Sequence, residues 1–376
     1  RWIKLPPRDS VKLIATTLEA LRQSGVSEPG QRFVMIRSWN TSTLLIKNGD
    51  FTVGEIDQIR AFARSRSIDT AWFPGMRAGD ANRYNRLAEP YIFEATAALL
   101  GEGAASFLDR YKFHVEPATD DRPYFFHFFR WRTLPEVMAL RKAGGAGLIE
   151  WGYLVLVATL VQAAVLGLVL ILVPLSLARH DWPAATARNF GIYFLLLGLA
   201  FLFVEMAFIQ KFILFLSNPL YSVAVVLSGF LLFAGLGSAL SERFARCLPW
   251  PAVSPVTIAV AAIALLALIY IKLLPIVFAA FFGFPDAVRI ALSLALIAPL
   301  AFFMGMPFPM GLRRLSRSAP GFVPWAWGIN GFASVVSAVL ATLLAIEFGF
   351  NVVIVLALIF YAIAAWDEAR SRARLP

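Results

Sequence analysis

The sequence is poor in cysteine, histidine and charged residues, and each shortage narrows what the chain can be. Its single cysteine, Cys247, excludes an internal disulfide and any cysteine-based metal cluster within the chain. The three histidines, His114, His127 and His180, are scattered without the spacing of metal ligands, so the sequence predicts no metal site. Charged residues make up 15% of the chain against 59% hydrophobic residues, and the mean hydropathy is +0.69. This composition indicates a membrane protein.

Several sequence patterns are also missing. In residues 1–147 no glycine-rich phosphate loop follows a predicted strand, and no nucleophile motif is present. No basic run with interleaved aromatic residues accompanies the net charge of +10. We therefore expect that charge to lie at cytoplasmic loops and to face anionic lipid rather than nucleic acid. The chain begins at Arg1 without methionine or a signal-peptide pattern, and we expect it to be the latter part of a longer protein.

Apolar residues are concentrated in the second part of the chain. Residues 1–147 have the composition of a soluble domain, whereas residues 148–376 form a predicted transmembrane helical domain. A run of roughly 20 apolar residues is long enough to cross a bilayer. Residues 275–284 are too short to cross and are expected to form a re-entrant or interfacial piece. Seven spans are predicted, at residues 148–177, 189–215, 220–240, 252–274, 287–305, 324–346 and 350–366. Pro307 and Pro309 are expected to end or break the fifth of these spans.

The soluble part alternates helix and strand patterns. A helix is predicted to begin at a cap formed by Asp9 or Ser10 and to stop at Gly25, because apolar residues recur at helical spacing between them. Two β-type runs with a short polar connection between them predict a hairpin. The hairpin strands are predicted at 32–39 and 42–47, a further strand at 68–73, and further helices at 54–65, 90–100 and 104–111. These elements indicate an α/β fold.

Several short stretches resemble one family. In the soluble part they are residues 1–8 (RWIKLPPR), 36–41 (IRSWNT) and 118–126 (ATDDRPYFF). In the membrane part they are residues 203–205 (FVE), 218–222 (NPLYS), 235–238 (GLGS), 304–311 (MGMPFPMG) and 325–331 (WAWGING). These stretches resemble the bacterial membrane proteins that carry a spermidine-synthase-like domain, which is similar to class I S-adenosylmethionine-dependent transferases.

The resemblance implies an α/β fragment, the C-terminal part of a class I transferase-like fold, followed by an all-α polytopic membrane bundle of about seven helices. It also implies a polyamine-related aminopropyltransferase or methyltransferase, or a descendant without the chemistry, in the bacterial inner membrane. In such transferases the cofactor lies on a glycine-rich loop and an acidic residue near the first strands. Neither has a counterpart in residues 1–147, so no catalytic, cofactor-binding or metal-binding residue is assigned in this chain. S-adenosylmethionine or its decarboxylated form is expected to bind only with a missing upstream half.

A polar turn, Asp120-Asp121-Arg122, is the most motif-like feature of the soluble part. One interpretation is a capped turn with a local ion pair, in which Pro123 fixes the backbone. The other is that Asp120 or Asp121 lines a site for a polar substrate or a cation. The sequence leaves both open. The aromatic residues that follow, at 124–131, are typical of a membrane-interface belt.

The membrane part is organised around residues 198–243, which form two predicted spans joined by a tight turn. The second of these spans ends in small residues at 235–238, which permit close helix approach. Glu205 lies inside the first of these spans, where an ionisable group is costly, so it is a candidate functional residue. It is either a protonated or hydrogen-bonded packing group or a carboxylate that binds a proton or a cation. Asn330 begins a polar stripe with Ser334 and Ser337, which serves either helix packing or a substrate path.

Charged residues in the loops predict an orientation. If seven spans are right, one set of basic residues lies on one side, and the positive-inside rule predicts that this side and the C-terminus are cytoplasmic. The set comprises Arg179, Arg188, Arg243, Arg246, Arg313, Arg314, Arg317, Arg370, Arg372 and Arg374. The soluble part would then lie outside. Arg130, Arg132, Arg141 and Lys142 beside the first span favour a cytoplasmic soluble part instead, so its side stays open.

Three functions remain open from the sequence. The first is a membrane-embedded, spermidine-synthase-like transferase. The second is a transporter-like unit with Glu205 and Asn330 in its path, and the third is a non-catalytic accessory subunit of a larger membrane complex. The lipid bilayer is the expected partner in all three, with a homo-oligomer or a larger membrane complex as further alternatives and no nucleic acid.

Overall fold

Long apolar helices and a small antiparallel sheet make up most of the computed structural model, which describes residues 7–139, 151–177, 184–248 and 253–373. The chain divides into two units by its internal contacts. The first unit comprises Arg1–Thr119 and Pro123–Tyr153, and the second comprises Asp120–Arg122 and Leu154–Pro376. The short segment Asp120–Arg122 therefore belongs with the helical unit, although the residues on either side of it do not.

The first unit is built on a three-stranded antiparallel sheet in the order β2-β1-β3. Its strands are β1 (Phe33–Arg37), β2 (Ser42–Ile46) and β3 (Asp69–Trp72), and its helices are α1 (Asp9–Gln23), α2 (Val53–Ser65), α3 (Tyr91–Leu100), α4 (Ala104–Arg110) and α5 (Leu134–Ala139). The central strand β1 is buried on both faces. Phe33 and Met35 pack into the cluster that contains the apolar stripe of α1, whereas Val34 and Ile36 pack into a second cluster on the other face.

These elements agree closely with the sequence predictions. The hairpin, the third strand and the helices after it begin and end within one or two residues of the predicted positions. The predicted cap of α1 is wrong. The N-cap residue is Arg8, which makes no side-chain capping hydrogen bond, and Ser10 is instead buried against Ser42, with 3.2 Å between their hydroxyl oxygens.

The second unit consists of long helices. After α6 (Trp151–Gly167) a π-helical turn (Leu168–Leu172) leads into α7 (Val173–Leu177). The others are α8 (Ala184–Leu216), α9 (Pro219–Cys247), α10 (Pro255–Phe281), α11 (Asp286–Met304), α12 (Pro307–Ser318), α13 (Val323–Phe348) and α14 (Phe350–Ala373). Seven segments within the described residues are long and apolar enough to cross a membrane, which confirms the predicted count. The chain is therefore a multi-pass integral membrane protein.

Two predictions about proline in the membrane part have different outcomes. Residues 275–281 do not form a separate re-entrant or interfacial piece, because α10 continues through Pro275 to Phe281. Proline removes one backbone hydrogen bond, and an apolar membrane helix tolerates this where neighbouring groups satisfy the freed carbonyl. By contrast, α11 ends at Met304 and Pro307 is the first residue of α12, so the predicted break is confirmed at Pro307, whereas Pro309 lies within α12.

Helix α8 lies at the centre of the second unit. It packs against α9, α11, α13 and α14. In the span that contains most of α8, 61% of the most apolar window is buried, whereas only 6% is buried in the first span, Trp151–Leu172. The first span therefore presents most of its apolar surface to lipid, and α8 has other helices around it. Glu205 lies on α8, so its side chain is placed inside the bundle rather than at its edge.

Glycine allows α9 and α11 to touch through their backbones. A Cβ atom on Gly237 would overlap the carbonyl oxygen of Phe302, and a Cβ atom on Gly305 would overlap the carbonyl oxygen of Ala234. Neither obstacle is a flexible side chain that could move aside. At Gly235, two residues earlier, a Cβ atom would meet nothing within 4 Å. The prediction that small residues at 235–238 permit close helix approach is thus confirmed for Gly237 and not for Gly235.

We predict that Gly237→Ala and Gly305→Ala each destabilise the protein by about 1–3 kcal/mol, because the added methyl group forces the two helices apart. Thermal unfolding of the detergent-solubilised protein, followed by tryptophan fluorescence, should show a lower melting temperature for both variants. Gly235→Ala is the matched control and should melt like the unmodified protein. Equal melting temperatures for Gly235→Ala and Gly237→Ala would contradict this account of the packing.

Candidate functional site

The predicted Asp120-Asp121-Arg122 turn is a turn in the structure, and its members have different surroundings. Asp120 is exposed, and within the described part of the chain it makes no hydrogen bond or ion pair. Arg122 is half-buried. Asp121 points its carboxylate and its carbonyl group at other helices of the second unit. Asp121 therefore connects the turn to these helices.

Asp121 caps the N-terminus of α14. Its carbonyl oxygen accepts a hydrogen bond from the Phe350 N–H at 3.1 Å, and its Oδ1 atom accepts one from the Asn351 N–H at 3.0 Å. The first N–H groups of a helix have no partner within the helix, and a carboxylate there also interacts favourably with the helix dipole. A cap usually comes from the residue just before the helix. Here it comes from a residue about 230 positions earlier in the chain.

The same carboxylate binds Lys211 near the end of α8. The Lys211 Nζ atom lies 3.3 Å from Asp121 Oδ1, and its side chain is only 9% exposed. The ammonium group also lies 5.7 Å from the ring centre of Phe350. Gly349 makes room for this arrangement, because its φ of +92° suits glycine and a Cβ atom there would overlap Asp121 Oδ2. Asp121 thus links α8 to the start of α14.

Glu205 is buried in the bundle at 5% exposure. Its Oε1 atom has no hydrogen-bond partner within the described part of the chain, and the same holds for the hydroxyl group of Tyr361 on α14. Tyr361 is 1% exposed and lies on α14, which packs against α8. Two buried polar groups that lack hydrogen-bond partners within the described residues are therefore carried by two helices in contact.

Asn330 lies where α13 packs against α8. Its Nδ2 atom donates to the carbonyl oxygen of Phe194 at 3.1 Å, and Ser337, two turns further along α13, donates to the carbonyl oxygen of Leu199 at 2.9 Å. A Cβ atom on Gly198 would lie 2.7 Å from the carbonyl oxygen of Asn330. The polar stripe is thus engaged with the backbone of α8. Asn330 lies on α13, whereas Glu205 and Tyr361 lie on α8 and α14.

The first unit contains a separate buried ion pair. Asp69 is 1% exposed, and its carboxylate accepts hydrogen bonds from the backbone N–H groups of Arg83, Tyr84 and Asn85 at 2.6–2.9 Å. Arg37 lies 3.5 Å from the same carboxylate. Burial lowers the pKa of the Arg37 guanidinium, and the charge of Asp69 partly offsets this. These contacts hold the segment after β3 against the sheet, so the charges of Arg37 and Asp69 both have a structural role.

Metal binding has no donor set among the described residues. No group of three or more histidine, cysteine, aspartate or glutamate side chains there is arranged to hold a metal ion. A shallow groove beside β3 is lined by Arg60, Arg64 and Arg83 together with Asp69 and Asp80. Arg83 and Asp80 form an ion pair at 2.5 Å, so part of the positive charge of the groove is already neutralised.

Sequence reasoning missed several residues of the second unit that lie near Glu205 or Asp121. Tyr361 was not singled out because a tyrosine within an apolar span has no distinctive spacing. Phe350 and Asn351 were missed because the residue that caps them, Asp121, lies about 230 positions earlier in the chain. Glu368 falls on the same helical face as Tyr361, seven residues away, and that spacing was a usable signal.

Comparison with known proteins gives no assignment for this chain. No family model matches it, and searches of curated proteins and of solved structures found no match. The resemblance to spermidine-synthase-like membrane proteins therefore stays a prediction, as does the transferase-like nature of the first unit.

We predict that Asp121→Ala lowers the free energy of unfolding by about 2 kcal/mol, since it removes a helix cap and leaves a largely buried lysine without its partner. Asp120→Ala is the matched control, and as a surface change it should stay within about 0.5 kcal/mol. Melting temperatures of both variants in detergent provide the measurement. Equal melting temperatures for Asp121→Ala and Asp120→Ala would show that the Asp121 contacts do not hold α14.

Proposed function

We propose that this chain is a transporter-like membrane protein whose helical unit binds and exchanges a proton at Glu205. The observation that carries the proposal is the pair of buried, unpartnered polar groups, Glu205 Oε1 on α8 and the Tyr361 hydroxyl on α14. Ionisable groups inside a membrane bundle are costly, and they commonly mark ion or proton pathways.

Burial explains why Glu205 would hold a proton. An isolated carboxylate away from water is expensive to keep charged, and it becomes neutral by binding a proton unless a cation lies beside it. The nearest lysine along α8, Lys211, is six residues away and is paired with Asp121. In contrast to Asp121, Glu205 makes no ion pair within the described residues. A change in its environment would therefore load or release a proton rather than break a salt bridge.

Tyr361 is suited to assist such an exchange. A tyrosine hydroxyl both donates and accepts hydrogen bonds. It can donate to Glu205 when the carboxylate is charged and accept from it when the carboxyl group is protonated. A metal cation needs several oxygen ligands at once, whereas a proton needs only one carboxylate oxygen and a neighbouring group that exchanges it. This requirement favours a proton over a metal ion as the ligand of Glu205.

The transferase function rests on the sequence resemblance alone. The first unit has an antiparallel sheet with helices on it, and its described residues contain a buried ion pair between Arg37 and Asp69. The bacterial inner membrane, a cytoplasmic C-terminus and a homo-oligomer or larger complex also stay predictions. Contact with lipid follows from the seven apolar helices.

Proton flux into liposomes tests the proposed function. We expect purified protein, reconstituted into liposomes that contain a pH-sensitive dye, to admit protons when a membrane potential is imposed. Glu205→Gln should abolish the flux, because glutamine has nearly the same shape but takes up no proton. Glu242→Gln is the matched control, since Glu242 is exposed and is paired with Arg246 at the end of α9. Undiminished flux in Glu205→Gln or Glu205→Leu would refute the proposal.

A second measurement addresses the cofactor. Residues 1–147 lack the glycine-rich turn and the acidic residue with which class I transferases hold the adenosyl group. We therefore predict no useful binding of S-adenosylmethionine or its decarboxylated form to this chain alone. Titration calorimetry on the purified protein is the direct test. Micromolar affinity, about −8 kcal/mol, would place a cofactor site in this chain and revive the transferase function.

A further inference from the structure

The groove beside β3 in the first unit carries more positive charge than its own carboxylates balance. Three arginines line it, Arg60 and Arg64 on α2 and Arg83 in the segment after β3. Two aspartates also line it, but Asp69 is 1% exposed and is already paired with Arg37, which lies outside the lining. One carboxylate is therefore left to balance three guanidinium groups.

That carboxylate, Asp80, is shared between two of the arginines. It forms the ion pair with Arg83 and also lies 4.0 Å from Arg60, which is in turn 3.6 Å from Asp57 on α2. Arg64 has no ion pair within the described residues, and its Nε atom donates to the carbonyl oxygen of Arg60 at 3.3 Å. Surface ion pairs contribute little to stability, so an anionic ligand can replace them.

Buried polar contacts fix the segment that carries Arg83 and the neighbouring Tyr84. Asp69 accepts hydrogen bonds from three successive backbone N–H groups of this segment. Asn82, just before it, has a φ of +58°, and its Oδ1 atom accepts from the Arg37 guanidinium at 2.7 Å. The segment is thus held from its inner side, while the Arg83 and Tyr84 side chains are exposed. A loop fixed in this way presents its outer side chains in a set position, which favours binding.

The lining offers hydrogen-bond donors and room for a small ligand. A guanidinium group has five N–H donors in a planar fork that matches phosphate oxygens. The Arg60 guanidinium lies 5.3 Å from the ring centre of Phe73, which restricts its positions. The hydroxyl group of Tyr84 makes no hydrogen bond within the described part of the chain, and its side chain lines the groove. The groove holds about 340 Å³ of empty space, part of which is open to solvent.

We propose that this groove binds a phosphate-bearing anion, whose oxygens accept hydrogen bonds from Arg60, Arg64 and Arg83, with the Tyr84 hydroxyl as a further donor. A phosphate monoester carries about two negative charges at neutral pH, which matches the surplus of three guanidinium groups over one carboxylate. The phosphate belongs to a small soluble molecule or to a lipid headgroup. The site lies in the first unit and does not depend on proton exchange at Glu205.

A solvated basic surface is the alternative explanation of these arginines. Each exposed arginine would then contribute equally to the attraction of any anion, and Asp80 would only be a structural partner of Arg83. If the groove is a binding site, an arginine matters according to whether it lines the groove, and Asp80 competes with the ligand for Arg60 and Arg83. The two explanations therefore predict different effects for a neighbouring arginine outside the lining and for Asp80.

Titration calorimetry of the full chain in detergent, with inorganic pyrophosphate as the probe and at physiological ionic strength, is the test. We expect Arg64→Ala to weaken binding about tenfold, because charge-assisted hydrogen bonds to the phosphate are lost. Arg66→Ala is the matched control, since Arg66 is exposed two residues further on and lies outside the lining, and it should change binding little. Asp80→Asn should tighten binding several-fold, because it removes the competing carboxylate.

Phosphatidic acid distinguishes the two sources of the phosphate. The chain in phosphatidylcholine nanodiscs should bind pyrophosphate, and loss of this binding when phosphatidic acid is included would identify a lipid headgroup as the ligand. Unchanged binding would identify a soluble molecule, and both results support the groove. No binding to the unmodified chain, or equal weakening by Arg64→Ala and Arg66→Ala, would overturn the proposal. If Arg64→Ala lowers the melting temperature, Asp80→Asn decides, and binding that is unchanged or weaker in that variant would also overturn it.

Discussion

The cost of burying an ionisable side chain among apolar helices governs where the polar residues of the second unit lie. In a bilayer no water is present to satisfy them, so each must find a partner inside the protein. Lys211 has Asp121, Arg314 has Glu368, and Arg289 has Asp286 together with the carbonyl oxygen of Phe215. Glu205 differs from these residues, because its buried Oε1 atom has no hydrogen-bond partner and its carboxylate no ion pair in the part of the chain that the structure describes. This difference makes Glu205 the candidate for proton chemistry.

Close backbone contact is the second constraint on this unit. Membrane helices gain little hydrophobic energy from associating with each other, because lipid tails are as apolar as their side chains. Contact area must then come from small residues, and Gly198, Gly237 and Gly305 each bring two backbones together. Such contacts fix helix positions tightly. A fixed position for α8 is required if the Glu205 and Tyr361 side chains are to remain close enough to interact.

Local patterns allowed the elements to be predicted, and long-range contacts explain what could not be. The seven spans, the β1–β2 hairpin and the break at Pro307 follow from apolar run length, alternation and proline chemistry, all of which act over a few residues. Residues 275–284 were expected to form a separate short piece, yet the apolar helix α10 continues through Pro275 to Phe281. Asp9 or Ser10 was expected to cap α1, but the Ser10 hydroxyl contacts Ser42 on a distant strand instead.

The candidate site shows the same contrast between local patterns, which could be predicted, and long-range contacts, which could not. Glu205 could be singled out from its place in an apolar span, but its neighbour Tyr361 is more than 150 residues away and had no local signal. Asp121 was recognised as part of a turn. The helix that it caps, α14, could not be predicted, because a cap ordinarily lies directly before its helix in the chain. The transferase-like relationship of the first unit was inferred from short stretches of resemblance, and it remains a prediction.

Helix α14 is held in place at both of its ends. Its first turn is held by Asp121, which also binds Lys211 of α8, and its last turns are held by the Arg314–Glu368 pair from α12. Tyr361 lies between these two points of attachment and has no hydrogen bond of its own within the described residues. Its hydroxyl group is therefore positioned by the helix rather than by a local partner. A group held in this way remains available to hydrogen-bond with Glu205 in either protonation state, as a proton relay requires.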